Sequence, residues 1–418
     1  MSNPPVYRQC NITGYALTDP GPWRYRLLSE PALTAEFTRL VKTENVLGSA
    51  CVCLQPNRQP SEDRHAIRDL HLPLGNWRFA GVFDGHAGKE TVDYTVSAFP
   101  TFLQRSLSAA FANIDKDSFS PQFVSKALAQ AVVDFDNSIM NDFVGLFPGG
   151  LDGLAKLSDS EIEAIVNDSA SGGKNNIKVL RCMRGSTLLV SLLDPSRENL
   201  WVASLGDCQA ALGSKGSTGV WHSTLLSSNH NGVDAAETDR INKEHPGEAA
   251  CVENDRVLGA IAPTRVIGDH TFKLPVPYTR RVFLNTIPGF YDTSKVLNMI
   301  GRSKTPPYLS NIPDVRHVDL KALNSTDQFL LMCSDGLVDM YMDGPQDAAF
   351  FERVVESWVR IVGDKIGKGG SGSGLEAPAL SLMRDALGGA DEDKVSRMLT
   401  VETPEKCMDD ITLLLQRI

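Results

Sequence analysis

Carboxylates recur in this sequence where apolar runs stop. Asp84 follows "FAGVF", Asp207 follows "WVASLG", Asp335 follows "FLLMCS", and Asp409 leads into "ITLLL". Glu62 and Asp63 stand a few residues beyond "SACVCL". Asp is a poor strand residue and costly to bury alone. A single one in such a place is ordinarily a turn or cap residue. Acids at the ends of several different buried strands need a common explanation. If those ends converge, repulsion raises the carboxyl pKa values unless cations offset it. Donors that are all oxygen, with no His or Cys among them, suit hard ions such as Mg²⁺ or Mn²⁺ rather than zinc.

Beside these acids lies "DGHAG", Asp84 to Gly88. Gly85 lets a backbone carbonyl approach an ion closely, and His86 next to it is placed to give a proton to a leaving group near neutral pH. The other histidines, His65, His71, His222, His230, His245, His270 and His317, read as residues satisfied at turns or in the core. Arg58, four residues before Glu62, offers a planar fork of donors matched to phosphate oxygens. On its own it reads as a solvated loop residue.

The elements that must hold these residues are legible as short apolar runs ended by turn residues. They are "VLGSACVCL", "WRFAGVFDG", "STLLVSLLD", "LWVASLGD", "FLLMCSDG" and "DDITLLLQRI", each of strand length. Between them, residues 88–113 put Val92, Val96, Phe99 and Phe102 on one helical face. Residues 121–143 do so with Val124, Leu128, Val132, Phe135 and Ile139. The order is not the regular strand–helix alternation of a doubly wound parallel sheet and points to mainly antiparallel sheets with helices outside. Two stretches, 145–180 with a short helix at 158–167, and the Pro-rich 271–318, read as insertions; "GDKIGKGGSGSGLEAP" reads as a flexible linker.

Composition narrows the classes. A net charge of −10 argues against a protein held to nucleic acid by general electrostatics. No apolar run is long enough for a membrane span, and the start lacks the apolar stretch of a secretory signal. The eight cysteines form no C-x-x-C pair and read as reduced core residues of a reducing compartment. None begins the Cys-x5-Arg loop that a cysteine-based phosphatase requires.

In order along the chain stand "RQPSEDR", "FAGVFDGHAG", "RGSTLLVSLL", "LWVASLGDCQAALG", "DRVLGAIAPTRVIGD", "FLLMCSDGLVDMY" and "DDITLLL". With these the chain resembles the metal-dependent serine/threonine protein phosphatases of type 2C, the PPM family, from about residue 45 to 418. "SEDR", "NHN", "EHPGEA", "TPPYLSNIPDV" and the doubled acid of "DDIT" are similar to the pyruvate dehydrogenase phosphatase branch. Arg58 departs from that branch and matches the phosphate-binding arginine of the general family.

The resemblance implies an α+β fold, a four-layer α/β/β/α sandwich of two mainly antiparallel sheets. Residues 1–44 would be an extension packed on a domain of residues 45–418. It implies two ions, Mg²⁺ or Mn²⁺, with Asp84 bridging them, the Gly85 carbonyl completing one shell, and Asp335 and Asp409 on the other ion. Glu62 and Asp63 would act directly or through water, and Asp207 and Asp339 match positions for a weaker third ion. Arg58 would clamp the phosphate and His86 would act as general acid, while the ions activate a water for in-line hydrolysis. The implied partner is a phosphoprotein, with pyruvate dehydrogenase-type substrates within range, and the implied state a monomer. The expected location is intracellular, in the mitochondrial matrix by resemblance or else in the cytoplasm. Two other readings remain open here: the same fold serving as a scaffold, and a phosphohydrolase of nucleotides or other small molecules.

Overall fold

The strand runs are continuous rather than alternating because residues on both strand faces are buried, as for Ser49–Leu54 and Leu188–Leu193. The computed structural model describes the chain apart from residues 1–4, 13–18, 58–59, 113–119, 249–250, 345 and 369–373. It divides into two compact units: Met1–Ile67, Gln209–Leu226 and Asp319–Ile418 form the first, and Arg68–Cys208 with Ser227–Val318 the second.

The first unit is built on a six-stranded sheet. Its order is Trp221–Leu225, Gln209–Lys215, Asp327–Cys333, Ile411–Arg417, Ser49–Leu54, Lys42–Val46, and every neighbouring pair is antiparallel. Alternate residues Ala50, Val52, Leu331, Leu413 and Leu415 share one hydrophobic core with Trp358 and Val362 of the helix Phe350–Lys368 and Leu382 of Glu376–Ala386. Cys51 and Cys53 therefore point from the opposite sheet face. Of the N-terminal residues, the helix Ala32–Leu40 adds Leu33 and Phe37 to this core. The strand Trp23–Leu27 is tied to the helix Glu392–Thr400 by Arg26 N–H to Thr400 Oγ1, 2.9 Å. Lys42–Val46 is already a strand of the sheet, so residue 44 lies inside an element.

The second unit carries most of a five-stranded sheet ordered Asp314–Asp319, Asn199–Leu205, Leu188–Leu193, Gly75–Phe83, Arg64–Leu72, residues 64–67 and 319 being counted with the first unit. Its central pairs are antiparallel. The helices Glu90–Ala112 and Pro121–Val144 cover it through Phe99, Phe135 and Leu128. Ser120 caps the latter, its hydroxyl oxygen accepting from Phe123 N–H, and Pro121 takes the first turn, where no N–H is needed. All five apolar residues expected on its buried face are buried. On the earlier helix the buried line is Val92, Thr95, Phe99, Leu103 and Leu107. Val96 and Phe102 flank it half-buried, a rotation from the expected face set by a polar Thr inside the contact.

The 158–167 helix forms as Asp159–Val166, started by a capping box between Ser158 and Glu161. The two expected insertions share a hydrophobic cluster: Phe147, Leu154, Ile162 and Val179 pack with Leu274, Tyr278, Val282 and Phe283. The expected linker is helical up to Lys368, and helix resumes at Glu376, with 369–373 outside the described residues. Each unit thus pairs one mainly antiparallel sheet with its own helices, the α+β class expected.

Candidate functional site

In the first unit the strands Asp327–Cys333 and Ile411–Arg417 are neighbours with Cys333 opposite Leu413. The chain ends carrying Asp335 and Asp409 therefore emerge at the same edge. Gly336 follows Asp335 because a Cβ there would collide with the backbone carbonyl of Asp410. Asp339 lies four residues on in the same short helix, Asp335–Asp339, on the face of Asp335, and is exposed.

Asp63 is brought to this edge by Ser334, whose hydroxyl donates to Asp63 Oδ2 at 2.6 Å and accepts from Thr412 N–H at 2.9 Å. Asp63 Oδ1 is buried with no hydrogen-bond partner. Burial pushes the Asp63 carboxyl well above its ordinary range, the Ser334 hydrogen bond works the other way, and the charges of Asp410 and Asp409 push it up further. Asp410, by contrast, is saturated: it accepts from Gln55 Nε2 (2.7 Å), Glu62 N–H (2.7 Å) and Lys406 Nζ (2.9 Å). Its work is to hold the segment bearing Glu62 and Asp63. A buried, unfilled carboxylate oxygen among like charges, surrounded by oxygen donors, fits a hard divalent cation.

The second unit presents its own pair. Leu205 lies opposite Leu188, and Val82 opposite Leu189, so Asp84 and Asp207 flank the start of one strand. Their carboxylate oxygens come within 4.8 Å of one another. Thr187 fixes Asp84 through both backbone groups, its N–H to Asp84 O at 2.9 Å and its Oγ1 accepting Asp84 N–H at 3.1 Å. Asp207 Oδ2 accepts from Asn231 Nδ2 at 2.7 Å. The turn before Asp207 needs glycine: Gly206 has φ 111°, and a Cβ would strike Thr187.

His86 is positioned by a small three-stranded sheet of Gly85–His86, Gly185–Ser186 and Ile267–Gly268. Its Nε2 meets Asp269 Oδ2. A side chain on Gly185 would fall on both of these atoms, which explains the glycine of "RGST". Arg58 lies outside the described residues.

Several partners carried no role in the sequence reading: Ser334, Thr187, Asn231, Asp410 and Asp269. Asp269 had the same signature as Asp84, an acid closing the short run "RVIG". Among the histidines read as structural, His230 is buried and bridges Gly206 N–H (3.3 Å) and Asp314 Oδ2 (3.1 Å), while His245 stacks on Tyr308 at 4.1 Å. All eight cysteines are free, five of them buried. No described helix is long and apolar enough to cross a membrane.

Residues 146–345 match the family model described as Protein phosphatase 2C, a range that includes Asp207, Asp335, Asp339 and Asp269. Over those residues the chain carries a protein phosphatase 2C family domain. A protein phosphatase 2C homolog of Schizosaccharomyces pombe is 26% identical over 378 residues, covering 85% of this chain and 77% of that protein. The mitochondrial [pyruvate dehydrogenase [acetyl-transferring]]-phosphatase 1 of Rattus norvegicus is 27% identical over 413 residues, covering 86% and 75%. A solved C. elegans sex determining protein aligns with TM-score 0.48 and 16% identity, over 90% of this chain and 65% of that one. The chain is a protein serine/threonine phosphatase, a hydrolase of phosphate monoesters whose substrate is a phosphoprotein. The family's activity is metal-dependent, and the carboxylates described above fit such ions.

Proposed function

We propose that Asp84, the Gly85 carbonyl, Asp335 and Asp409 hold two divalent cations, with Glu62 and Asp63 supporting them and Asp207 and Asp339 serving a weaker third. The observation that carries this is Asp63: its Oδ1 is buried without a partner, and Asp409 and Asp410 are close enough to raise its pKa. A structural role alone does not account for that expense. Mg²⁺ or Mn²⁺ held there supplies Lewis acidity toward phosphate oxygens and an attacking water.

The chain's own residues do the rest. Arg58 offsets charge on the phosphoryl group in transfer. His86, its ring oriented by Asp269, delivers a proton to the departing Ser or Thr oxygen, a step typically worth about 10²–10⁴-fold. A pyruvate dehydrogenase-type phosphoprotein is the proposed substrate, in the mitochondrial matrix and with the enzyme monomeric. The relatives named for that activity support the substrate and the compartment. The shared core of 145–180 and 271–318 is the proposed seat of substrate choice. It leaves Ile287 and Tyr291 exposed at 73% and 82%.

The test is phosphate release from a phosphothreonine peptide with Mn²⁺ or Mg²⁺, then with EDTA. Metal-dependent release that Asp84→Asn and Asp335→Asn nearly abolish is expected. Undiminished turnover in either variant sinks the site assignment, and no release from folded protein with either metal moves the chain to a scaffold role.

A further inference from the structure

A second cluster of metal-binding side chains lies within the first unit and has no part in the chemistry above. Cys51 and Cys53 are two apart on the strand Ser49–Leu54, on the face away from Ala50, Val52 and Leu54, which enter the helical core. Their sulfurs are 3.9 Å apart, and Cys53 Sγ is 3.9 Å from His65 Nδ1. The three donor atoms all lie within 4.8 Å of one another. On its far side the His65 ring meets a carboxylate, Nε2 to Glu44 Oε2 at 2.9 Å. Glu44 is itself held in register opposite Cys51 on the neighbouring strand.

These distances match one ligand class. Zinc bonds of about 2.3 Å to sulfur and about 2.0–2.1 Å to imidazole nitrogen, set tetrahedrally, put two sulfurs about 3.8 Å apart and sulfur and nitrogen about 3.5 Å apart. A carboxylate on the other ring nitrogen is the usual arrangement behind a metal-bound histidine: it accepts a hydrogen bond from Nε2–H, which keeps the proton there and leaves the Nδ1 lone pair toward the sulfurs. We propose that Cys51, Cys53 and His65 form a binding site for one thiophilic divalent cation, Zn²⁺, with Glu44 orienting the imidazole and the fourth position left to solvent. The sulfur donors separate it from the oxygen-only carboxylates, which suit Mg²⁺ or Mn²⁺.

The electrostatics agree with a split pair. The neighbouring Cys51 thiol and His65 outweigh burial and hold Cys53 low, at about 5, while the Cys53 sulfur and burial push Cys51 well up. Binding drives the protons that the thiols and the His65 ring hold at the ligand atoms to solvent, with nothing oxidised. A disulfide is the poorer reading. Two residues along a strand stand about 6.6–6.8 Å apart, at the outer limit for that bond, and it would leave His65 and Glu44 unexplained. The consequence of zinc is mechanical: His65 is two residues past Asp63, so the ion ties that segment to the sheet.

The experiment uses the full chain, stripped with chelator and held in excess Mg²⁺, titrated with Co²⁺ and then Zn²⁺. One equivalent of Co²⁺ should give thiolate-to-cobalt charge-transfer absorption that Zn²⁺ displaces, lost in Cys51→Ser and Cys53→Ser. Glu44→Gln should weaken Zn²⁺ about 10–100-fold. X-ray absorption on zinc-loaded wild type needs no variant: two sulfurs at about 2.3 Å are expected. A shell of oxygen and nitrogen alone overturns the proposal, as does absorption that persists in both serine variants. Mg²⁺-dependent phosphate release from the same sample reports separately on the phosphatase site.

Discussion

Replacing Asp63 with Asn separates the cost of the metal site from its use. Asn keeps the size and retains an oxygen for the Ser334 hydroxyl, a 2.6 Å bond in the wild type. It removes a buried charge whose pKa is raised by burial and by Asp410 and Asp409, and whose Oδ1 has no hydrogen bond. The amide nitrogen left in place of Oδ1 is still unpartnered but neutral, and an unpartnered buried charge costs on the order of 1–3 kcal/mol more than a neutral polar group. Without metal, the Asn variant should therefore be more stable than wild type by about that amount at neutral pH. At about 2–4 °C per kcal/mol for a unit of this size class, its melting temperature should rise by about 2–12 °C.

With Mn²⁺ the order reverses. Saturating metal at a hundred times its dissociation constant adds about 2.7 kcal/mol to wild type, and the variant should gain little of it. The pH dependence has a definite sign. Asp63 has a folded pKa above the ordinary carboxylate range, so the folded state holds the extra proton. Metal-free wild type should lose stability as pH rises from that range through the raised value, and the Asn variant should lack this slope. Differential scanning fluorimetry with and without Mn²⁺, across pH, reads all three effects. Equal Mn²⁺ shifts in the two proteins, or a metal-free variant that melts below wild type, would refute the reasoning.

Gly185→Ala should push a methyl into the His86–Asp269 pair, slowing phosphopeptide hydrolysis about 10²-fold while sparing aryl phosphates, whose leaving groups scarcely need a proton. Parallel kcat measurements on both substrates check it, and equal losses count against the acid role of His86. Glu237 accepts from Arg265, Arg240 and Thr264. Burial raises its pKa, but these partners outweigh it and hold the carboxyl at about 2 against 4.5. That stability is present in full above about pH 4.5 and drains as pH falls toward 2. Glu237→Gln should therefore cost about 1–3 kcal/mol near pH 7 and almost nothing near pH 2 in urea melts.

The sheets were legible because their strands are buried on both faces and so read as unbroken apolar runs, each closed by a turn. The helices were legible from spacing, with one rotated face. On Glu90–Ala112 the inward line admits Thr95, whose Oγ1 satisfies itself on Thr91 O at 2.8 Å, so a polar residue took a place that hydropathy gave to Val96. The stretch around Gly363 misled for a different reason. Its glycines suggested a linker, yet Gly363 sits in a helix where a Cβ would strike the Trp221 ring. Glycine there serves close packing, and nothing local in the sequence distinguishes that from flexibility.

The acids at strand ends were visible in one dimension because each closes its own run, but what makes them expensive was not. Ser334 is 271 residues from Asp63, and Asp269 is 183 from His86. Pairings at that separation leave no periodicity and no spacing to read. What the sequence does preserve is the steric consequence: Gly185 beside the His86–Asp269 contact, Gly206 against Thr187, and Gly336 against the Asp410 carbonyl. Each glycine marks a place where a functional group is approached too closely for a side chain. The glycines in "RGST", "SLGD" and "CSDG" are thus the imprint of the site's three-dimensional crowding. The same logic separates Cys51 and Cys53 from the other cysteines, because their significance lies in His65 and Glu44 arriving from other strands.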